Sequence, residues 1–263
     1  MKPLNNNPIG VIDSGLGGLS IASVIIKKLP HESIIYVADS KNCPYGQRTP
    51  DKIYKLSKKM IDFLMKKDIK LLVIACNTIT VTCLAKLRKD YPNIPIVGIV
   101  PVVKTAVDRS KKGKIGIFST VVTAKSEYQK NLIEEFAKGV DVKNEGSSDM
   151  VAMIENLDFE AIRKALNAEL KVFKDSDIDV LALGCSHFPL IKDRFQKNLP
   201  GVLVLDSSQA VARQVKRILM RNKINSNAKS PKYDYYSTGN LKAMHYFINK
   251  LTINKKVEKI LLQ

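Results

Sequence analysis

Cys76 closes the apolar run "LLVIAC" and is followed at once by Asn77 and Thr78; Cys185 closes "VLALGC" and is followed by Ser186 and His187. A thiol where a strand hands over to a helix lies at the positive end of the helix dipole, which favours the thiolate. The polar residues beside each cysteine suit helix capping or ligand binding. His187 is placed to activate one thiol, and Asp13, ending another apolar run, to assist the other. A single Cys-His pair would indicate nucleophilic catalysis through a thioester. Two opposed thiols around one substrate indicate a different reaction. One thiolate takes a proton from carbon, the other thiol returns one to the opposite face, and a stereocentre inverts. Cys43 and Cys83 read as small buried hydrophobes.

The same cysteines argue against other chemistries. No C-x-x-C spacing occurs. Cys76 and Cys83, on one helix, would lie about 10 Å apart, beyond disulfide reach. Cys185-x-His187 supplies two of the four ligands a zinc site needs, so no metal is expected. The stretch "DSGLGGLS" (13–20) offers Gly15, Gly17 and Gly18 at a strand-to-helix turn, and Asp39 ends the next strand about where a ribose-binding acid would sit. That pattern supports an alternative, a nucleotide-binding oxidoreductase. Against it, Ser20 stands where the third glycine belongs, and Asp13 would oppose a pyrophosphate. The other reading of the loop is that its N–H groups approach a smaller anion, such as a carboxylate.

Strand ends must carry these residues, and the chain supplies them. "IGVID" (9–13), "SIIYVAD" (33–39), "LLVIAC" (71–76) and "IPIVGIV" (94–100) read as buried strands. Between them lie helical patterns, one with Ile53, Leu56, Met60 and Leu64 on a single face. The alternation predicts an α/β domain with a mainly parallel sheet, with ligands expected past the carboxyl ends of its strands. The order then recurs: "KIGIFST" (114–120) echoes "IGVIDSG", Cys185 follows Cys76 by 109 residues, and Pro200 follows Pro92 by 108. Asp158 opens a helix with Phe159, Ile162, Leu166, Leu170 and Phe173 inward. The expectation is two similar α/β units about a pseudo-twofold axis with the active site in the cleft between them. Residues 1–100 with 208–263 form the first unit, and 101–207 the second. The tail offers a basic helix with Val211, Val215, Ile218 and Leu219 inward, then "YDYYSTG", a helix and "VEKILL"; a last strand could complete either sheet.

The formal net charge is +18, from 43 basic and 25 acidic residues. Only eight of the basic residues are Arg, Trp is absent, and the lysines are scattered in pairs. A lysine-rich solvated surface that attracts small anions explains this better than a nucleic-acid footprint. No apolar stretch is long enough to span a bilayer, and "MKPLNNNPIGVID" lacks the order of a secretory signal. A cytoplasmic location, where thiols stay reduced, is expected.

Together "IGVIDSGLGGLS", "PYGQRT", "VIACNTIT", "GIFSTVVTAKSEY" and "LGCSHFPLI" resemble, in order, the cofactor-independent glutamate racemases of the aspartate/glutamate racemase superfamily. The resemblance implies that Cys76 and Cys185 are the catalytic acid/bases, with Asp13 and His187 beside them. It implies that Asp13, Ser14, Tyr45, Gly46, Asn77, Thr78, Ser186 and His187 hold the substrate, with Thr120 and Thr123 lining the site. It further implies a homodimer, no cofactor, no membrane, and D-glutamate made for peptidoglycan. The chain departs from the pattern twice. Ser186 stands where the family usually has Thr. In "NEGSSDMVAMIEN" (144–156) Ser147-Ser148 replaces a frequent Cys-Pro, leaving Glu155 as a possible auxiliary. A broader aspartate/glutamate racemase of the same superfamily is therefore the alternative within the family.

Overall fold

The structure is a computed structural model that describes residues 5–99, 102–239, 241–251 and 256–262. Residues 1–4, where the amino-terminal reading begins, and the boundary expected at 100/101 lie outside the described residues. Ten strands are described: β1 (Ile9–Asp13), β2 (Ile34–Ala38), β3 (Leu71–Ile74), β4 (Ile96–Val97), β5 (Lys114–Thr120), β6 (Asp141–Ser147), β7 (Val180–Leu183), β8 (Leu203–Leu205), β9 (Tyr233–Ser237) and β10 (Lys256–Lys259). The chain divides into two compact units, residues 1–100 with 208–263 and residues 101–207.

In the first unit all strand pairs are parallel, in the order β10-β9-β2-β1-β3-β4. β1, β2 and β3 are buried throughout, as expected of strands covered by helices on both faces. Helix Pro50–Met65 turns Ile53, Leu56, Met60 and Leu64 onto the sheet, where they join Ile12, Val37, Leu72 and Ile74 in one apolar cluster. Each such side chain contributes about 1.5–3 kcal/mol when fully buried. Thr49 caps that helix by accepting from the Lys52 N–H, and Pro50 occupies its first turn. Helices Leu19–Lys28 and Ser208–Asn222 pack on each other. The latter buries Val211, Val215 and Leu219, while Ile218 is half-buried. Both tail strands extend this sheet beyond β2, which decides the question the sequence left open.

The second unit repeats the scheme, with parallel strands in the order β6-β5-β7-β8. Since β2-β1-β3-β4 has the same arrangement, the sequence repeat is a repeat of topology. Helix Phe159–Glu169 starts on the Asp158 cap and buries Ile162 and Leu166; Leu170 and Phe173 follow, buried as well. Phe159 is only half-buried and lies under the Arg194 guanidinium. Phe118 of β5 packs against Phe173, Phe188 and Phe195, with ring centroids 5.1–5.8 Å apart. Such aromatic pairs add to the area they bury.

Two elements differ from expectation. The strand expected over 94–100 is only Ile96–Val97 within its described part, because a single neighbour, β3, pairs with it. The segment after Cys185 does not pass directly into an α-helix: Phe188–Ile191 forms a 3-10 turn, and the α-helix begins at Lys192. Ile191, with φ −122 and ψ 26, breaks the continuity between them. The helix-dipole argument for Cys185 is corrected accordingly. Among the described residues no helix is long and apolar enough to cross a membrane.

Candidate active site

Parallel pairing aligns the strand ends of the first unit. The Asp39 N–H donates to the Asp13 carbonyl at 3.1 Å and the Ala75 N–H to the Ile12 carbonyl at 2.9 Å. Asp13, Asp39 and Cys76 therefore share the carboxyl edge of the sheet, where open parallel sheets bind ligands. Asp13 is fully buried, and its Oδ1 accepts the Gly15 N–H at 2.9 Å. Ser14 Oγ lies 3.5 Å from Asp13 Oδ1 and 3.5 Å from Cys76 Sγ, so one hydroxyl bridges carboxylate and thiol. Cys76 is the N-cap of helix Asn77–Asp90, whose first turn holds Asn77, half-buried, and Thr78, buried. The first N–H groups of that turn have no partner within the helix and point out of its start.

The glycine loop supports this arrangement. A Cβ at Gly18 would lie 2.8 Å from Ala75 Cβ, 2.9 Å from Asp13 Cβ and 3.0 Å from Tyr36 Cε2, so the helix packs against the strands only with glycine there. The Gly15 carbonyl accepts the buried Tyr36 hydroxyl at 2.6 Å, and Ser20 Oγ donates to the Gly17 carbonyl at 2.8 Å. Tyr36 gave no sequence signal: it is one more large residue in an apolar strand, and only its hydroxyl partner distinguishes it.

Tyr45 and Gly46 lie in a short 3-10 turn, Tyr45–Gln47, just past Asp39. The Tyr45 hydroxyl donates to Asp39 Oδ2 at 2.7 Å. Burial first, then the charge and hydrogen bond of Asp39, push the Tyr45 phenol well above its ordinary range, so it stays a donor. Asp39 also accepts from Asn42 Nδ2 on both oxygens and from the Thr238 hydroxyl. Its lone pairs are committed to the protein, which removes the ribose-binding role that a dinucleotide site would need. Thr238 lies just past β9; the strand-end rule would have flagged it had the partner of that strand been legible.

In the second unit the Gly184 N–H donates to the Phe118 carbonyl at 2.8 Å, which sets Cys185 beside the end of β5. Cys185, Ser186 and His187 are all buried. His187 Nδ1 stands 4.0 Å from Cys185 Sγ, and Nε2 stands 2.6 Å from Glu155 Oε1. Glu155, a possible auxiliary in the sequence, is thus joined to the histidine. Phe188, stacked on Phe118, fixes the backbone directly after that histidine. Thr120 Oγ1 donates to Thr123 Oγ1 at 3.0 Å and accepts the Thr123 N–H, so Thr120 also caps the short helix Val121–Ala124. Ser147 accepts the Met150 N–H at 3.2 Å and donates to Glu169 Oε1 at 3.0 Å, binding helices rather than pointing to a reactive group.

Of the other two cysteines, Cys83 plays the packing part expected of it, whereas Cys43 is not the buried residue expected. Cys83 lies in the core of the first unit, where burial pushes its thiol up to about 11. Cys43 is half-buried, and none of the four cysteines is in a disulfide.

Comparison with known proteins fits this arrangement. The Asp/Glu/Hydantoin racemase family profile matches residues 9–215. A glutamate racemase of Clostridium acetobutylicum is 36% identical over 254 residues, 96% of this chain and 95% of that protein. Among solved structures, a glutamate racemase isoform of Bacillus anthracis superposes with a TM-score of 0.87 at 32% identity, covering 98% of each chain. A glutamate racemase of Francisella tularensis, solved in complex with D-glutamate, gives a TM-score of 0.85 at 28% identity over 99% of each chain. Given a profile match over most of its length and these relatives along nearly all of it, the chain belongs to the Asp/Glu/Hydantoin racemase family, as a homologue of its glutamate racemases.

Proposed function

We propose that the protein interconverts L- and D-glutamate without a cofactor, using Cys76 and Cys185 as its two acid/base groups, and so supplies D-glutamate for peptidoglycan synthesis. One observation carries the reading. The corresponding strands β3 and β7 each lead into one buried cysteine, and each cysteine has its own polar companion: Ser14 with Asp13 for Cys76, His187 with Glu155 for Cys185.

The chemistry follows from those partners. One thiolate takes the α-proton, and the electron pair of the C–H bond stays on the substrate as a carbanion delocalised into the carboxylate. The other thiol gives its proton to the opposite face and becomes the thiolate, leaving the enzyme set for the reverse reaction until protons re-equilibrate. A thiol of ordinary pKa, about 8.5, is a weak base for such a carbon acid. The deficit is met by donors preorganised around the α-carboxylate and by exclusion of water. Ser14, Asn77, Thr78 and Ser186 are the proposed donors, with Tyr45 and Gly46 from the adjoining loop and Thr120 and Thr123 along the wall. Glu155 holds the proton on His187 Nε2, which leaves Nδ1 as the acceptor facing the Cys185 sulfur. On the other side the Ser14 hydroxyl links Cys76 to Asp13.

Incubation with L-glutamate in deuterated water should give D-glutamate carrying deuterium at Cα. Absence of α-exchange with either enantiomer of glutamate or aspartate would overturn the reading, and the aspartate arm tests the broader specificity. Cys76→Ser and Cys185→Ser should each abolish racemisation.

We further infer a cytoplasmic homodimer. Four cysteines outside any disulfide suit a reducing compartment, and the dimer is carried by the family resemblance. Sedimentation of the purified chain reads the second point directly.

A further inference from the structure

The returning tail meets the loop that carries Tyr45 and Gly46. Thr238, one residue past β9, is buried; its N–H donates to the Ala38 carbonyl at 3.0 Å, continuing the pairing with β2. Its hydroxyl donates to Asp39 Oδ1 at 2.7 Å and accepts the Lys41 N–H at 3.1 Å. Asp39, only 1% exposed, passes the connection on by accepting the Tyr45 hydroxyl on its other oxygen. The next tail residue runs equally close. A Cβ on Gly239 would lie 2.8 Å from Ser40 Cβ and 3.1 Å from the Lys41 nitrogen.

We propose that Thr238 is a positioning residue, through which the tail strand holds the 39–48 loop in the geometry that grips the substrate. The inference rests on the assignment of Tyr45 and Gly46 as substrate-holding residues. Two short 3-10 turns make up most of this loop, each closed by its own backbone bonds, Asn42 N–H to the Asp39 carbonyl at 2.9 Å and Arg48 N–H to the Tyr45 carbonyl at 3.0 Å, so the loop's attachment to the rest of the sheet comes from bonds such as those of Thr238. Such segments open easily unless something outside them is bonded to them. A buried carboxylate also demands that its acceptor sites be filled, and the Thr238 hydroxyl fills one that would otherwise be left to Asn42 alone. The clamp therefore links residues 199 apart in the chain.

Thr238→Val preserves the branched shape and removes the hydroxyl, whereas Thr238→Ser keeps the hydroxyl. For Thr238→Val we expect KM for glutamate to rise at least fivefold with kcat within twofold of the parent. Thr238→Ser should restore KM to within twofold. An unchanged KM in the valine variant, or a serine variant as impaired as the valine one, overturns the proposal. Hydrogen exchange gives a readout that does not depend on racemase activity: the Lys41 amide, whose acceptor is lost, should exchange at least fivefold faster in Thr238→Val. Unchanged exchange overturns the clamp even if the racemase assignment stands. Should the valine variant not fold, Thr238→Ala removes the same acceptor with less crowding and should give the same faster exchange at Lys41; protection equal to the parent's counts against it.

Discussion

His187 Nε2 lies 2.6 Å from Glu155 Oε1 while Nδ1 of the same ring faces Cys185 Sγ at 4.0 Å. A carboxylate at Nε2 favours the tautomer with its proton there, which is why Nδ1 is proposed as the acceptor of the thiol proton. Glu155→Gln keeps the shape and removes the charge, and should lower kcat/KM about 10²-fold. Because L- and D-glutamate have equal free energy, kcat/KM must fall by the same factor in both directions. Circular dichroism progress curves started from each enantiomer check this, and parental kinetics would remove Glu155 from the mechanism.

Ser14 Oγ lies 3.5 Å from both Asp13 Oδ1 and Cys76 Sγ, within reach of carboxylate and thiol alike. A hydrogen bond to a charged group contributes about 1.5–3 kcal/mol. Ser14→Ala should therefore slow racemisation about 10- to 100-fold while leaving the thermal midpoint within a few degrees of the parent. A variant with full turnover would show that Cys76 needs no hydroxyl partner.

Cys83 separates thiol chemistry from thiol packing. Burial holds its pKa up to about 11, so it remains a thiol at neutral pH. Cys83→Ala should retain activity within twofold and lose about 0.5–3 kcal/mol of stability, in the range of ordinary core truncations. Iodoacetamide at pH 8 should leave Cys83 unlabelled in the folded protein; mass spectrometry of the digested protein decides.

Lys70 and Glu32 form a buried ion pair at 2.6 Å, with side chains 1% and 4% exposed. Glu32 also accepts the Ser226 N–H from the tail. Lys70→Ala strands a buried carboxylate and should cost about 3–5 kcal/mol in urea unfolding, whereas Lys70→Met with Glu32→Leu should cost much less. Equal losses in the two would show that packing, not charge, is at stake.

Glu169 supplies a pH signature. Burial raises its carboxyl above the ordinary value, against the opposing hydrogen bond from Ser147. The folded protein then holds a proton that the unfolded chain releases. Its contribution to stability is fully present below the unfolded pKa of about 4.3 and is lost as pH rises through the folded pKa. Glu169→Gln removes this loss, so the variant should gain on the parent between pH 4 and pH 7. Urea midpoints that differ by a constant amount across that range would contradict it.

Much of this was legible in the chain because parallel α/β proteins place chemistry where apolar runs end. "LLVIAC" and "VLALGC" end in a reactive residue type followed by polar neighbours, and both lead into buried cysteines at strand ends. β6 was not visible: "DVKNEGS" is polar and mostly half-buried, because it pairs with one neighbour at the sheet edge. The pairing of Glu155 with His187 was hidden for a different reason. Their 32-residue separation carries no period, and only the fold brings a helix end to that loop. The 3-10 turn after Cys185 escaped because proline near a helix start is compatible with either winding.

The strand order β10-β9-β2-β1 has a consequence for synthesis. Residues 101–207 are contiguous and can close their sheet while the chain is still being made. The first sheet cannot, since its outer strands lie beyond residue 230. Until they leave the ribosome, the apolar strand "IIYVA" keeps one edge of backbone donors and acceptors open to any passing chain. The half made first is therefore finished last, and that interval is when the nascent protein is most exposed to misassociation.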